Sequence, residues 1–296
     1  MDLVSACPAC KGKLFSEFLR CKDYTVSHET FQLVKCSNCG LVATSPRPEE
    51  NELYRYYLSE DYISHSNKIK SITDALYKTV RFFSLKWKTE LVRKYADPSA
   101  RSIADIGCGT GEFLNACKTK GWNITGVEPS ESARKQASNL LQHIVNQSID
   151  ELNGQYQAIT LWHVLEHVPD PALYLSKLKK HLAKNGTLFI AVPNHISSDA
   201  KAYQAHWAGY DVPRHLWHFS RTPMRTLLNN YDLQLEKVVP MKFDSFYVSM
   251  LSEKYQGKNP LLALINGFTS GLKSNLAAQK TDEYSSLIYI ARSINA

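Results

Sequence analysis

Long apolar runs are missing from this 296-residue chain. No stretch reaches the roughly 20 residues that a membrane-spanning helix requires, so a transmembrane architecture is not expected. The first residues, Met1-Asp2-Leu3-Val4-Ser5-Ala6-Cys7, lack a basic segment followed by an apolar one. A secretory signal is therefore not expected, and a cytoplasmic protein is. Blocks of like charge are also absent, although the formal net charge is +7. That excess suits an anionic partner but reads first as a solvated surface, because nucleic-acid tails concentrate their charge. Without internal repeats or low-complexity tracts, a solenoid or a disordered linker protein is excluded.

What is present is the composition of an ordinary globular chain, with 44% hydrophobic and 21% charged residues. The length accommodates one large core and a small appendage. Seven cysteines in a chain expected in a reducing compartment point to metal ligation or free thiols. Four form two C-x-x-C pairs, Cys7/Cys10 and Cys36/Cys39. Two such pairs are the ligand set of a closed, tetrahedral structural zinc site, here expected within a small β ribbon over residues 1–45. Redox chemistry would need a C-x-x-C at the start of a helix following a strand, and neither pair is so placed. Cys21, Cys108 and Cys117 are expected to be buried free thiols. Phe15, Phe18, Leu19, Phe31, Leu33 and Val34 supply a mini-core dependent on the metal.

Residues 46–100 read as a linker and helical lid. Thr44–Glu50 is turn-rich, the tyrosines 54, 56, 57 and 62 cluster, and Ile72, Leu76, Val80, Phe83, Trp87 and Leu91 recur at helical spacing. From residue 101 to 296 the pattern alternates strand and helix. Strands are expected at Ser102–Ile106, Ile124–Glu128, His143–Val145, Ala158–Trp162, Gly186–Val192, Leu233–Val239 and Ser286–Ala291. Helices are expected from about Glu112 to Lys120 and from Glu131, the latter capped by Ser130. This alternation predicts an α/β fold, a Rossmann-like and mostly parallel sheet with helices on both faces, carrying an insertion at about 240–285. The insertion, with its run Pro260–Ile265, reads first as a packed helix, with an acceptor-side cover, a dimer face or a membrane-surface contact as the alternatives.

The stretch Asp105-Ile106-Gly107-Cys108-Gly109-Thr110-Gly111 ends an apolar strand and opens a helix. Its D-x-G-x-G-x-G spacing departs from the G-x-G-x-x-G of dinucleotide sites. A second strand ends in Glu128, near the interval at which a carboxylate meets ribose hydroxyls. Together these features resemble the class I S-adenosylmethionine (SAM)-dependent methyltransferases. The resemblance implies that Asp105, Gly107, Gly109 and Gly111 hold the methionine side of SAM and Glu128 the ribose. It also implies that Ile149 packs on the adenine, and that Trp162 and His163 line the channel near the methyl group. Glu166-His167-Val168-Pro169-Asp170-Pro171 resembles the stretch that many small-molecule methyltransferases carry after the fourth strand. His163-Val164-Leu165-Glu166-His167 also matches a zinc-protease pattern, but Pro169 and Pro171 argue against the continuous helix that pattern needs.

Trp207–Ser220 gathers aromatics, two histidines, an acid and an arginine into a loop on the ligand edge of the sheet. Read functionally, His215 is the general base, Tyr210 or Asp211 orients it, and Arg214 grips an acceptor carboxylate or phosphate. Read structurally, the loop is a buried polar knot with Ser220 capping the next helix. The order of modules is similar to deoxysugar C-methyltransferases, which begin with a four-cysteine zinc domain, and of their loop pattern this chain has His215 and Phe219-Ser220. The expected activity is SAM-dependent methyl transfer to a small molecule, such as a nucleotide-linked sugar or an envelope-glycan precursor. An RNA methyltransferase gripping its substrate through the ribbon is the runner-up, followed by a non-enzymatic SAM-binding protein. A basic patch interleaved with aromatics is lacking in the ribbon, and N/D-P-P-Y/F is lacking after the fourth strand, which disfavours RNA.

Overall fold

Three strands open the chain, β1 (Phe15–Lys22), β2 (Thr30–Cys36) and β3 (Val42–Thr44), each antiparallel to the next. The computed structural model describes residues 1–57, 72–97 and 101–293. Tyr62 lies outside the described residues, as do the side chains of Ile72, Leu76 and Val80. Helix α1 (Ile72–Tyr95) is continuous, and Leu91 and Val92 near its C-terminus are buried.

The alternating part of the chain builds the central sheet. Strands β4 (Ser102–Ile106), β5 (Asn123–Val127), β6 (Tyr156–Trp162) and β7 (Leu182–Pro193) are parallel in the order β5-β4-β6-β7. Helices α2 (Glu112–Lys118), α3 (Glu131–Leu141) and α4 (Pro171–Lys180) connect them. After α5 (Ser198–Tyr203), the two-residue strand β8 (Trp217–His218) and α6 (Arg221–Asn229) come the last two sheet strands. These are β9 (Leu233–Pro240) and β10 (Ser286–Ser293); β10 inserts antiparallel between β7 and β9.

Alternation along each strand feeds two cores, as a sheet covered on both faces requires. Ile103, Ala158, Phe189, Ile288 and Ile290 face one cluster, under α1 and α2. Ala104, Ile159, Leu161, Leu188, Ile190, Leu287 and Tyr289 face the other, under α4 and α6.

Three expectations need correction. His143–Val145 forms no strand: Ile144 is 82% exposed, and only a bridge from Asn146 to Val127 prolongs the sheet there. A single inward apolar residue, Val145, is too little to anchor a strand after the left-handed turn at Gln142. Ser130 and Ser220 occupy N-cap positions, but neither side chain makes a capping hydrogen bond. The Ser130 amide instead donates to Glu128. The 240–285 segment is two helices, α7 (Asp244–Tyr255) and α8 (Pro260–Thr281), packed as a hairpin.

The first 45 residues join the rest of the molecule through pairing. β3 pairs antiparallel with β8, so a strand from the 207–220 loop completes the N-terminal sheet. In place of a separate mini-core, Phe31 and Leu33 are buried with Tyr56, Trp207 and Tyr210, and Leu19 packs against that cluster. Phe15 and Val34 pack against the core of the central sheet that also holds Cys7, Ala9, Cys36, Leu41 and Ala43, and Phe18 is exposed.

Candidate active site

β4 delivers the glycine loop at the C-terminal edge of the sheet. Gly107, Gly109 and Gly111 all have positive φ (69°, 54° and 83°), where any side chain would be strained. Gly107 is further constrained, since a Cβ there would lie 2.6 Å from Val164 Cγ2. A Cβ on Gly109 would meet nothing within 4 Å, so this glycine faces open space. Glu128, just beyond β5, bridges the loop: one carboxylate oxygen accepts from the Gly109 amide at 2.8 Å and the other from Ser130 at 2.9 Å. Asp105 is buried and accepts from Thr160 Oγ1 at 2.6 Å; burial pushes its carboxyl up to about 7.

Ile149 is buried in the 3₁₀ turn Ile149–Glu151, on the same sheet edge. Trp162 ends β6, edge-on to Phe113 at 5.3 Å with Lys88 over its ring at 4.6 Å. His163 follows in a left-handed conformation (φ 58°), its ring between Asp244 at 2.9 Å and Glu166 at 3.2 Å. Burial lowers its basicity, but the Asp244 and Glu166 hydrogen bonds outweigh this and raise it to about 10. His163 is thus an imidazolium tying β6 to α7. The 3₁₀ turn Leu165–His167 follows, interrupting the strand-to-helix run as the prolines imply.

The 207–220 loop folds inward. Arg214 is 2% exposed and its guanidinium is engaged within the protein: by Asp211 at 2.7 to 3.1 Å, by Asp23 at 3.0 Å and by the Tyr56 carbonyl at 3.0 Å. The expected grip on an acceptor anion is not the arrangement seen, because its charge is already matched by two carboxylates. Asp23, missed in the sequence, also accepts hydrogen bonds from Thr25 and Ser27; burial pushes its pKa up, but Arg214 and these donors hold it below the usual carboxylate range. The D-x-T-x-S pattern at 23–27 signals such a turn, but not its distant arginine partner. Tyr210 is buried, edge-on to Trp207 and His218.

His215 Nδ1 lies 2.9 Å from the Gly209 carbonyl, and His167 Nδ1 lies 3.0 Å from the Arg214 carbonyl. A carbonyl only accepts, so each Nδ1 carries the hydrogen, and in the neutral form of either ring the lone pair sits at Nε2. The rings meet edge to face at 4.6 Å, and burial followed by the nearby His215 lowers His167 to about 4. Glu166 is fully buried beside them and one of its oxygens, Oε2, has no hydrogen-bond partner. One ligand atom from each of Glu166, His167 and His215 falls within 4.8 Å of the others. Tyr57 Oη stands 3.1 Å from His167 Nδ1. Asp211 Oδ2 is 3.9 Å from His215 Nε2, close enough to orient a protonated ring.

The four paired cysteines also converge. Cys7 Sγ is 3.5 Å from Cys39 Sγ, Cys10 Sγ is 3.5 Å from Cys36 Sγ, and all four sulfurs lie within 4.8 Å. The two C-x-x-C loops repeat one hydrogen-bond pattern: Cys7 N–H donates to the Gly12 carbonyl and the Cys7 carbonyl receives from Lys11, while Cys36 N–H donates to Leu41 and its carbonyl receives from Gly40. Lys11 and Gly40 hold positive φ at equivalent points (62° and 80°). Cys21, Cys108 and Cys117 are buried and free.

This parallel-rich sheet, with a glycine loop and an acid on the adjoining strand edge, defines an α/β methyltransferase. Residues 80–238 match the family model described as a methyltransferase domain, over half of the sequence, and the chain belongs to that family. It is 30% identical over 115 residues to a ubiquinone biosynthesis O-methyltransferase of Pseudomonas aeruginosa (strain UCBPP-PA14), covering 36% of this chain and 48% of the relative. The same-named protein of Erwinia tasmaniensis is 31% identical over 104 residues, covering 32% and 43%. The chain thus spans about half the length of the curated relatives it matches. Among solved structures, magnesium protoporphyrin IX methyltransferase from Synechocystis PCC 6803 with bound SAH superposes with a TM-score of 0.52 at 12% identity. That alignment covers 82% of this chain and 93% of the other, and establishes the fold.

Proposed function

We propose that this chain transfers the methyl group of SAM to a hydroxyl of a small-molecule acceptor, and that His215 removes the acceptor's proton. The observation that carries this reading is the tautomer of His215: its Nδ1–H is held by the Gly209 carbonyl, which leaves Nε2 as a base. The buried Glu166 carboxylate nearby favours the imidazolium that forms once the proton arrives. Asp211, at 3.9 Å, does the same from the other side. SAM, when bound, supplies an activated methyl carbon on a positively charged sulfur. Gly109 and Glu128 are suited to its ribose edge, Asp105 to its cationic methionine end, and Ile149 to its adenine.

The aromatic and histidine side chains of the 207–220 loop suit a small ring-bearing or polyhydroxylated acceptor, such as a phenol or a nucleotide-linked sugar. A hydroxyl acceptor also agrees with relatives named as O-methyltransferases. We assign the four cysteines to a structural zinc. Zn–S bonds of about 2.3 Å place tetrahedral sulfurs roughly 3.8 Å apart, and two spacings of 3.5 Å with all four sulfurs within 4.8 Å suit that geometry.

The test is a measurement of S-adenosylhomocysteine release, with mass spectrometry for a product one methyl group heavier, over a panel of phenols and nucleotide sugars. His215→Ala is expected to lower kcat by about 100-fold or more while SAM affinity stays within about two-fold. Unchanged turnover would remove His215 from the chemistry, and failure of the unmodified chain to bind SAM would remove the whole reading.

A further inference from the structure

The helix hairpin formed by α7 and α8 is packed inside out. The buried face of α8 consists of small residues, among them Ala263, Gly267, Gly271 and Ala278. An added Cβ at Gly267 would run into the Met250 backbone, and one at Gly271 would lie 2.8 Å from Phe246 Cα. Glycine at these points therefore sets how closely the two helices approach. Most of the large apolar residues point away from α7, although Phe268 stacks on Phe246 of α7 at 5.1 Å. Leu261, Ile265, Phe268, Leu272 and Leu276 form one stripe and are 67%, 52%, 58%, 44% and 52% exposed. At 1.5 Å per residue this stripe runs about 22 Å along the helix. Solvent-facing stripes of this kind mark an interaction surface, because a monomeric soluble surface seldom lines up so much apolar area.

Charge decides the occupant. No acidic residue occurs within Pro260–Thr281, whereas Lys273 and Lys280 are exposed on that helix and Lys254 on α7. Lys242, just before α7, is exposed too, and its carbonyl is bound by Asn275 of α8. Lys242 also lines an open groove of about 470 Å³, together with Arg221, Arg225 and Lys237. Two acids border this groove: Glu236 is paired with Arg292 at 3.4 Å, and Asp282 caps the end of α8. Pairing with a second copy would set the same cationic flanks against each other, since a two-fold interface apposes like patches. An anionic bilayer attracts those lysines and accepts the apolar stripe at once. Among the described residues no helix is long and apolar enough to cross a membrane, so the hairpin would lie on the surface. We propose that the outer face of α7–α8 seats the protein on an anionic lipid bilayer.

The test is flotation of the full chain with vesicles of phosphatidylcholine alone or mixed with phosphatidylglycerol, with a thermal melt of every variant. The unmodified protein is expected to float with the mixed vesicles at least about ten-fold more than with phosphatidylcholine, and to be released by high salt. Ile265→Glu and Leu272→Glu should each abolish flotation with an unchanged melting curve, and Lys273→Glu with Lys280→Glu should weaken it. No flotation, or equal flotation on both vesicle types, would overturn the proposal. So would a solution dimer that Ile265→Glu converts to monomer, which would assign the stripe to a second copy.

Discussion

Asp105 carries opposed demands in one carboxyl group. Buried and accepting from Thr160, it is pushed up to about 7 from an ordinary value of 3.8. The folded state therefore holds a proton that the unfolded chain releases, so stability declines as pH rises from about 4 to 7 and levels off above. A cationic ligand reverses the preference, because it favours the ionised carboxylate. Affinity for SAM is expected to rise between roughly pH 6 and 8, and Asp105→Asn should flatten that dependence in titration calorimetry. The same substitution keeps the acceptor for Thr160 and removes the buried charge. It should stabilise the ligand-free protein at pH 8 by on the order of 1–3 kcal/mol while SAM affinity drops to the weaker, low-pH value of the unmodified protein. A destabilised, SAM-competent variant would refute this account of the residue.

At the scale of the element, the 207–220 loop behaves as a strut. Arg214 links it to Asp23 in the β1–β2 turn and to the Tyr56 carbonyl, while Thr44 of β3 donates to the His215 carbonyl at 2.7 Å. Ser252 of α7 receives the Ala208 amide at 2.9 Å, and Asp199 receives the Trp207 indole at 2.8 Å. Removing Arg214 leaves the buried Asp23 and the part-buried Asp211 without their partner, which typically costs about 3–5 kcal/mol. Arg214→Ala is thus expected to shift the urea midpoint by that equivalent, with Arg214→Lys intermediate because a single ammonium cannot reproduce the fork. A variant that raised KM for the acceptor and left the midpoint in place would instead mean that Arg214 touches substrate.

The reach of the sequence ends at the same elements. The glycine loop was legible because its information is local: spacing within seven residues dictates positive φ and the strand-to-helix turn. The cysteine pairs were legible for the same reason. Arg214 was not, because the partner that fixes its role lies 191 residues away in sequence. Its residue type suited an anion, and only the fold reveals that the anion is Asp23. The α8 run 260–265 was recognisable as a helix, whereas its orientation depended on glycines whose contacts belong to α7.

For the whole molecule, the cysteine cluster and His215 are mechanically connected through β2, β3 and β8. Stripping a metal from the four cysteines should loosen β3 and, through it, the backbone that carries His215. The parallel strands and the glycine loop also rest on the second core, under α1 and α2, which contains no residue of the first 45. A chelator that extracts zinc is expected to eliminate turnover while SAM affinity falls by no more than about three-fold, and Trp217 fluorescence should report the freed strand. Loss of SAM binding in step with turnover would show that the two sheets unfold together.

The β3–β8 pair also has a consequence during synthesis. Thr44 leaves the ribosome long before its partner His215, 171 residues later. Contacts so distant along the chain form late. Through most of elongation β3 is therefore an open strand edge beside four thiols, a state prone to mispairing with other nascent chains. Early capture of a metal by the cysteines would hold β2 and β3 in register until the loop arrives to close the edge.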